Sequence, residues 1–219
     1  MNIVIIGANR GIGLEFVKQY QAKGHHVIAL CRKASEQLNA LGVEVVEGID
    51  VKDDQLVQEI ATKVSCDKID ILIHSSGILN MDQFPDISMD NMRESFEVNT
   101  LGPLRTIMGL QQKLGQGSKV GILTSRVGSI ADNSSSNNYA YRTSKTAANM
   151  VGKCLSLDLK EQGIAVALLH PGYVRTEMTH GKGLIDADES AAGLIERMDE
   201  LTMEKSGIFV HTSGELLPW

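Results

Sequence analysis

Near its start the chain reads Ile3-Val4-Ile5-Ile6-Gly7-Ala8-Asn9-Arg10-Gly11-Ile12-Gly13. Its apolar, β-branched beginning is typical of a parallel strand that is covered on both faces. An amphipathic stretch runs on to Lys23 and closes at Gly24, and Val27–Leu30 is the next apolar run. Strand, glycine-rich turn, helix and strand in this order predict a βαβ unit.

The turn from Gly7 to Gly13, the glycine turn, has the spacing Gly-x-x-x-Gly-x-Gly. Glycines let the backbone approach a pyrophosphate, and the following helix N-terminus offers it free N–H groups. No Gly-Lys-Ser/Thr follows, so the turn is not a nucleotide-triphosphate loop. A turn that merely packs a helix on a sheet is the alternative, but the strand and helix on either side favour dinucleotide binding.

The end of the second strand bears on the choice of coenzyme. An acidic residue there would bind a ribose 2′-OH, but the chain reads Leu30-Cys31-Arg32-Lys33. Arg32 is the main candidate for a 2′-phosphate, because a guanidinium matches phosphate geometry. Arg10 in the glycine turn would add a third cation. The sequence favours NADP(H) over NAD(H), the alternative being that Arg32 is simply solvated at a strand end.

Strand-like and helix-like stretches alternate along the rest of the chain. The further predicted strands are Val43–Ile49, Ile69–Ile73, Val120–Leu123, Ile164–Leu169 and Ile208–Val210. The alternation predicts an α/β fold: a Rossmann-type, doubly wound parallel sheet of about seven strands with helices on both faces. A length of 219 residues fits a single domain, 1–219, that carries the site and a small substrate segment at about 175–190.

Two of the predicted helices have a notable residue at or near them, Asp50 before one and Pro103 within the other. One spans Lys52 to Val64, and Asp50 could either cap it or reach an adenine. Another starts near Ser88 and contains Pro103, which predicts a kink.

Right-handed crossovers bring the C-terminal ends of parallel strands to one edge of the sheet. Small, polar or charged residues follow the predicted strands at Gly7, Arg32, Asp50, Gly77, Ser125 and Pro171. They are therefore expected to share one crevice.

Tyr141 and Lys145 stand four residues apart in a predicted helix, so both side chains lie on one face. A lysine ammonium beside a phenol favours the phenolate and would lower the pKa of Tyr141. Such a pair can serve as a general acid and base for a carbonyl or hydroxyl group. Taken alone, the spacing is common in helices.

These motifs occur together in the order found in the short-chain dehydrogenase/reductase family, which the whole chain resembles. They are Gly7-x-x-x-Gly11-Ile12-Gly13, Asp50-Val51, Val98-Asn99-Thr100, Ser125, Tyr141-x-x-x-Lys145 and Pro171-Gly172-x-Val174-x-Thr176. Thr124–Ile130 and the ending Gly214-Glu215-Leu216-Leu217-Pro218-Trp219 are similar to the C-factor and sniffer-like carbonyl reductase subgroup.

The resemblance implies an NADPH-dependent carbonyl reductase or alcohol dehydrogenase, the alternative being a non-catalytic regulator of the C-factor type. Tyr141 would exchange the proton, Ser125 would bind the substrate oxygen, Lys145 would bind the nicotinamide ribose and Asn99 would hold a water. The implied cofactor contacts are Gly7, Asn9, Arg10, Gly11, Ile12, Gly13, Arg32, Asp50, Val51, Ser76, Gly77, Tyr141, Lys145, Pro171, Gly172, Val174 and Thr176.

Some positions depart from the family pattern. Ile6 replaces the usual Thr, and His74-Ser75-Ser76-Gly77 stands where many members have Asn-Asn-Ala-Gly. The polar loop Asp132–Asn138 lengthens the interval before Tyr141, which makes Ser129 a rival to Ser125. Ser125 is preferred because it directly follows a strand. The short stretch after Thr176 predicts an open substrate pocket.

The remaining expectations concern partners and location. Met150, Val151, Cys154, Leu155 and Leu157 predict a broad buried face on the Tyr141 helix. That helix and the one at Asp188–Leu201 could pair across a two-fold axis in a homodimer or homotetramer. A net charge of −6, no apolar run of membrane length and three scattered cysteines predict a cytoplasmic protein without nucleic-acid, membrane or metal sites.

Overall fold

The computed structural model describes residues 1–219 and contains one sheet of seven parallel strands. The strands are β1 (Asn2–Ile6), β2 (His26–Leu30), β3 (Glu44–Val46), β4 (Ile71–His74), β5 (Lys119–Leu123), β6 (Ala165–His170) and β7 (Ile208–His211). Their order is β3-β2-β1-β4-β5-β6-β7, so the direction of winding reverses between β1 and β4. The predicted doubly wound parallel sheet is confirmed.

Helices cover both faces of this sheet. They are α1 (Gly11–Ala22), α2 (Glu36–Asn39), α3 (Leu56–Lys63), α4 (Met89–Phe96), α5 (Gly102–Leu110), α6 (Tyr139–Asp158) and α7 (Ala187–Asp199). On one face α1 and α7 bury Phe16 and Leu194 in a cluster with Ile5 of β1. On the other face a second cluster includes Ile60 of α3 and Ile107 of α5. No helix of the structure is long and apolar enough to cross a membrane.

The third strand is shorter than predicted. It covers Glu44–Val46 rather than Val43–Ile49. Gly48 has a φ of +74°, a left-handed conformation that ends a strand. The chain still stays beside β2, because the Ile49 N–H donates to the Cys31 carbonyl at 3.1 Å.

Helix α3 starts at Leu56, four residues after the predicted Lys52. The Asp50 carboxylate accepts from the Lys52 N–H at 3.0 Å, and Asp53 accepts from the Gln55 N–H at 2.9 Å. Such local turns compete with helix formation. Asp50 therefore does not cap α3.

The predicted long helix with a kink near Pro103 is divided into α4 and α5. The π-helical residues Glu97–Leu101 connect the two, and Pro103 lies in the first turn of α5. Proline has no N–H to donate to the Asn99 carbonyl four residues earlier, so the regular α pattern is interrupted. Asn99 and Thr100 are buried at this interruption.

The predicted buried face of α6 is wrong in part. Met150 and Leu157 are 65% and 63% exposed, and Cys154 is exposed too. The helix instead turns small residues to the sheet, since a Cβ built on Gly152 would lie 2.8 Å from the Leu168 side chain.

The apolar stripe of α7 is also engaged inside the chain. Ala191, Leu194 and Met198 are fully buried in the core cluster shared with α1. The α7 face is therefore not free for the expected pairing with α6 across a two-fold axis.

Candidate active site

The loops after the strands bring the predicted residues to one edge of the sheet. Gly7 follows β1, Arg32 lies two residues beyond β2, Gly77 follows β4, Ser125 follows β5 and Pro171 follows β6. Because all seven strands are parallel, these loops border the crevice at the β1/β4 switch point, where such sheets bind ligands.

Close backbone packing explains why this turn contains glycines at Gly7 and Gly13. Gly7 has a φ of +81°, and a Cβ there would lie 2.6 Å from the Ser76 hydroxyl. A Cβ on Gly13 would lie 2.1 Å from the Gly7 carbonyl oxygen. Larger residues would force the turn open. The turn leads directly into α1, so its residues fit a dinucleotide whose pyrophosphate lies at the helix N-terminus.

Asn9 connects the glycine turn with the loop after β2. Its side-chain oxygen accepts from the Ser35 N–H at 2.5 Å, and the Ser35 hydroxyl donates to the Asn9 carbonyl at 3.0 Å. Ser35 also caps the short helix α2, which the sequence did not predict. Asn9 therefore fixes the loop after β2, which carries Arg32 and Lys33 and is called the basic loop below, against the glycine turn.

The three candidate cations for a 2′-phosphate are not equivalent. Arg32 and Lys33 are exposed and form no ion pair in the structure. Arg10 instead pairs with Glu177, with 2.5 Å between Nη1 and Oε2.

The Asp50-Val51 pair lies between β3 and α3 and packs against the start of α5. Val51 is buried, and its side chain would lie 3.1 Å from a Cβ on Gly102. The Asp50 carboxylate is engaged with the Lys52 N–H.

Tyr141 and Lys145 share one face of α6, with Lys145 Nζ 5.8 Å from the centroid of the Tyr141 ring. Lys145 is only 4% exposed, and its ammonium donates to the Leu123 carbonyl at 2.9 Å. Burial lowers the pKa of Lys145 to about 8.

The expected lowering of the Tyr141 pKa is not found in this structure. Burial raises the pKa of Tyr141, and a hydrogen bond with Ser125 offsets part of that rise. Desolvation of the phenolate outweighs the other effects, so the phenol is the stable form here.

The two candidate serines have different surroundings. Ser125 lies two residues beyond the end of β5, is buried, and is hydrogen-bonded with Tyr141. The Ser129 hydroxyl donates to the Trp219 carbonyl and accepts from the Asp132 N–H, both at 3.0 Å. The Ser129 hydroxyl is thus used in hydrogen bonds to its own loop and to the C-terminal segment.

Asn99 lies beside Lys145 across Gly77. A Cβ on Gly77 would be 3.2 Å from Asn99 Oδ1 and 3.5 Å from Lys145 Nζ. The side-chain oxygen of Asn99 accepts a hydrogen bond from the Ile78 N–H. Its side-chain nitrogen donates to the Ile78 carbonyl and to the Ser144 hydroxyl. Both Nδ2 hydrogens are used and Oδ1 already accepts one bond, so the main-chain carbonyl of Asn99 is the favoured place for a water.

The segment from Pro171 to Thr176 lies over the glycine turn. Gly172 has a φ of +86°, and the Thr176 methyl would lie 3.5 Å from a Cβ on Gly11. A bridge between Val174 and Ile185 anchors the stretch that follows.

The polar loop is held by Arg142, which donates to the Asn137 carbonyl, the Asn133 amide oxygen and the Ser135 hydroxyl. Between this loop and α6 lies a cavity of about 250 Å³ that includes Tyr139 and Thr143. These residues are on the side of α6 opposite to Tyr141.

The sequence motifs do not point to two buried polar residues at the site, Thr124 and Asn149. Thr124 donates to the Asn149 amide oxygen at 2.6 Å, and the Asn149 amide donates to the Gly128 carbonyl, which braces the loop after β5. Asn149 follows Lys145 by four residues, so helical spacing could have identified it.

His74 was recognised only as a departure from the family pattern. It is 1% exposed, and its Nδ1 lies 3.0 Å from the Thr106 hydroxyl. That hydroxyl donates to backbone carbonyls, so Nδ1 is the donor and Nε2 carries the lone pair. Burial and then the charge of Lys145 lower the pKa of His74 to about 3.

A doubly wound parallel sheet with this glycine turn at its switch point defines a Rossmann-type dinucleotide-binding protein. A family model described as short chain dehydrogenase matches residues 1–184. The chain therefore belongs to the short-chain dehydrogenase family of oxidoreductases.

Two relatives are similar over most of their length. A 1-hydroxy-2-glutathionyl-2-methyl-3-butene dehydrogenase of Rhodococcus sp. is 41% identical over 99% of both chains. The C-signal protein of Myxococcus xanthus is 36% identical over 74% of this chain and 100% of its own length.

Two solved structures match the whole chain. An NADPH-bound carbonyl reductase from chicken fatty liver has a TM-score of 0.89 and 26% identity, covering 100% of this chain and 98% of the other. The carbonyl reductase Sniffer of D. melanogaster has a TM-score of 0.89 and 28% identity, with 100% and 99% coverage. The expected resemblance to the C-factor and sniffer-like subgroup is confirmed.

Proposed function

We propose that the protein transfers hydride between NADP(H) and a carbonyl or alcohol substrate, with Tyr141 as the general acid and base. The observation that supports this best is the placement of Tyr141 beside both Ser125 and Lys145, at the sheet edge that carries the glycine turn. The coenzyme supplies the hydride, and the protein supplies the proton and the geometry.

In the reducing direction Tyr141 donates its proton to the carbonyl oxygen as hydride reaches the carbonyl carbon. Its raised pKa keeps the phenol protonated at neutral pH, so the proton that reduction requires is in place. Ser125 hydrogen-bonds the same oxygen and stabilises the charge that develops on it. In the oxidising direction Tyr141 accepts the proton, so oxidation should be faster at higher pH.

Lys145 and Asn99 support this proton donor. The Lys145 ammonium, with a pKa of about 8, is charged at neutral pH and would bind the nicotinamide ribose hydroxyls. Asn99 holds the chain at Ile78 beside it, and its main-chain carbonyl would hold a water that continues the proton path.

The coenzyme preference rests on the charge at the end of β2. Arg32 and Lys33 are exposed there, the residues directly after the strand include no acid, and a matching carbonyl reductase has NADPH bound. We assign the coenzyme to these residues: Gly7, Asn9, Arg10, Gly11, Ile12, Gly13, Arg32, Asp50, Val51, Ser76, Gly77, Tyr141, Lys145, Pro171, Gly172, Val174 and Thr176. In this proposal residues 1–219 form one domain, with the substrate segment at about 175–190.

The substrate is a small carbonyl compound or alcohol. The Rhodococcus relative is named for an alcohol that carries a glutathionyl group. Primary alcohols that carry a glutathionyl group on the neighbouring carbon therefore belong in the substrate panel beside simple aldehydes, ketones and quinones.

The second candidate is a non-catalytic NADP(H)-binding regulator, which the similarity to the C-signal protein favours. NADPH oxidation across that panel, with coenzyme binding measured in parallel, separates the two. Turnover with any substrate class supports the enzyme. Tight NADPH binding without turnover on the whole panel would favour the regulator.

An exposed apolar stripe on α6 supports a homodimer or homotetramer. Met150, Cys154 and Leu157 lie at helical spacing on its outer face. A monomer in sedimentation at micromolar concentration would contradict this. We place the protein in the cytoplasm, since its three cysteines are unpaired.

A further inference from the structure

An ion pair crosses from the glycine turn to the substrate segment. Arg10 is the residue before α1, and its Nη1 lies 2.5 Å from Oε2 of Glu177. The two side chains are 68% and 73% exposed, and neither has another hydrogen-bonding partner. Exposed pairs of this kind contribute little stability and exchange partners easily.

Hydrogen bonds on either side of Glu177 hold its backbone close to the glycine turn. The Thr176 N–H donates to the Thr179 hydroxyl at 3.0 Å, which closes a short turn that begins at Glu177. The Thr176 methyl packs on Gly11. Glu177 is therefore held over the glycine turn rather than projecting freely.

Arg10 is also close to the basic loop after β2. Its neighbour Asn9 is hydrogen-bonded to Ser35 of that loop, three residues beyond Arg32. Under the proposed function, Arg10 thus belongs to the cations that receive the coenzyme 2′-phosphate. In this structure its guanidinium is paired with the Glu177 carboxylate.

We propose that Glu177 is a specificity-determining residue that competes with the 2′-phosphate of the coenzyme for Arg10. NADP(H) has to displace the carboxylate, whereas NAD(H), which has no 2′-phosphate, does not. This inference rests on the proposed NADP(H) binding. Glu177 thereby weakens NADPH binding selectively and narrows the preference of the protein for NADPH over NADH.

The displacement also links the coenzyme to the substrate segment. Once released from Arg10, Glu177 faces an open cavity of about 550 Å³ bordered by Arg175, His180 and Gly181.

The test measures the dissociation constants of NADPH and NADH for the whole protein by quenching of intrinsic or coenzyme fluorescence. Glu177→Gln keeps the shape of the side chain and removes its charge. We expect NADPH to bind about two- to fivefold more tightly, the range for an exposed ion pair, and NADH to be unchanged.

Asp186→Asn is the matched control. Asp186 pairs with Arg175 at 2.6 Å in the same segment and does not contact Arg10. Its substitution removes an equal charge from the segment, and we expect neither coenzyme affinity to change. Equal tightening in both variants would reduce the effect to general electrostatics and overturn the proposal.

A second background isolates Arg10. In Arg10→Ala, Glu177→Gln should no longer tighten NADPH binding, because no guanidinium is left to release. An effect that persists in this background, or a Glu177→Gln variant that binds both coenzymes more weakly, would contradict the competition. A wild-type protein that binds no NADPH at all would instead defeat the proposed function, on which the inference depends.

Discussion

The side-chain amide of Asn99 is hydrogen-bonded to both backbone groups of Ile78. Oδ1 accepts from the Ile78 N–H and Nδ2 donates to the Ile78 carbonyl, each at 2.9 Å. Ile78 follows Gly77, which lies against Lys145. One amide in the π-helical segment therefore positions the loop after β4 beside the proposed catalytic lysine.

Asn99→Ala should leave both Ile78 groups without their partner. An unpaired buried polar group costs about 1–3 kcal/mol, and the two Ile78 groups are only partly buried, so we expect the free energy of unfolding to fall by about 1–2 kcal/mol. We also expect kcat to fall more than about tenfold. Urea unfolding and steady-state kinetics measure the two effects.

Ser144→Ala is the control for Asn99→Ala. It removes the third bond of the amide, at 3.0 Å to the Ser144 hydroxyl, and the bond at 2.8 Å from that hydroxyl to the Tyr141 carbonyl, but it leaves both Ile78 bonds in place. We expect a loss of about 1 kcal/mol with little effect on kcat. Equal effects of the two substitutions would contradict a positioning role for the Ile78 contact.

Gly128→Ala should displace the loop that carries Ser125. A Cβ on Gly128 would lie 2.8 Å from the Lys145 carbonyl carbon and 2.9 Å from the Thr146 nitrogen, both backbone atoms that cannot move aside cheaply. We expect a loss of stability of about 1–3 kcal/mol and a lower kcat with an unchanged NADPH dissociation constant. Gly115→Ala is the control, because a Cβ there meets nothing within 4 Å. If the two variants behave alike, close packing at Gly128 does not position the site.

Arg32→Ala tests the coenzyme assignment. A guanidinium–phosphate contact is charge-assisted, so we expect the NADPH KM to rise by about tenfold or more while the NADH KM changes less than about twofold. Lys160→Ala removes an exposed charge beyond the end of α6, at the opposite edge of the sheet, and should change neither value. Equal rises for both coenzymes on loss of Arg32 would refute a 2′-phosphate contact.

His74 should make the protein sensitive to acid. Its pKa is about 3 in the folded state and 6.5 ordinarily, so between these values the unfolded chain binds more protons. Its contribution to stability is therefore complete above about pH 6.5 and is lost as the pH falls. Between pH 7 and pH 5 that loss is about 2 kcal/mol.

His74→Gln should reduce the difference in unfolding free energy between pH 7 and pH 5 by this amount. His180→Asn replaces an exposed histidine in the left-handed region, which asparagine tolerates, and should leave the difference unchanged. An unaltered pH dependence in His74→Gln would show that His74 is not the group that titrates.

The parts of the fold that the sequence predicted depend on local signals. The β-branched run at Ile3–Ile6, the glycine turn and the alternation of strands and helices each report on nearby residues, and the crossover rule adds the hand of the connections between parallel strands. The same rule predicts that Gly77 and Ser125, which both follow strands, lie at one edge of the sheet.

The features that the sequence did not predict depend on tertiary contacts or on competing local bonds. Turns closed by Asp50 and Asp53 delay the start of α3. Met150 and Leu157 are exposed because α6 packs through small residues such as Gly152. The Arg10–Glu177 pair joins residues 167 positions apart, which spacing along the chain cannot reveal.

The central claim is that Tyr141 exchanges the proton with the substrate, and Tyr141→Phe tests it most directly. Kinetics on the best substrate of the panel and an NADPH titration are compared with those of Tyr139→Phe, a tyrosine on the opposite side of α6. We expect kcat to fall by about a hundredfold to ten-thousandfold in Tyr141→Phe, with NADPH affinity kept and Tyr139→Phe close to wild type. Turnover by Tyr141→Phe at the wild-type rate would contradict the mechanism.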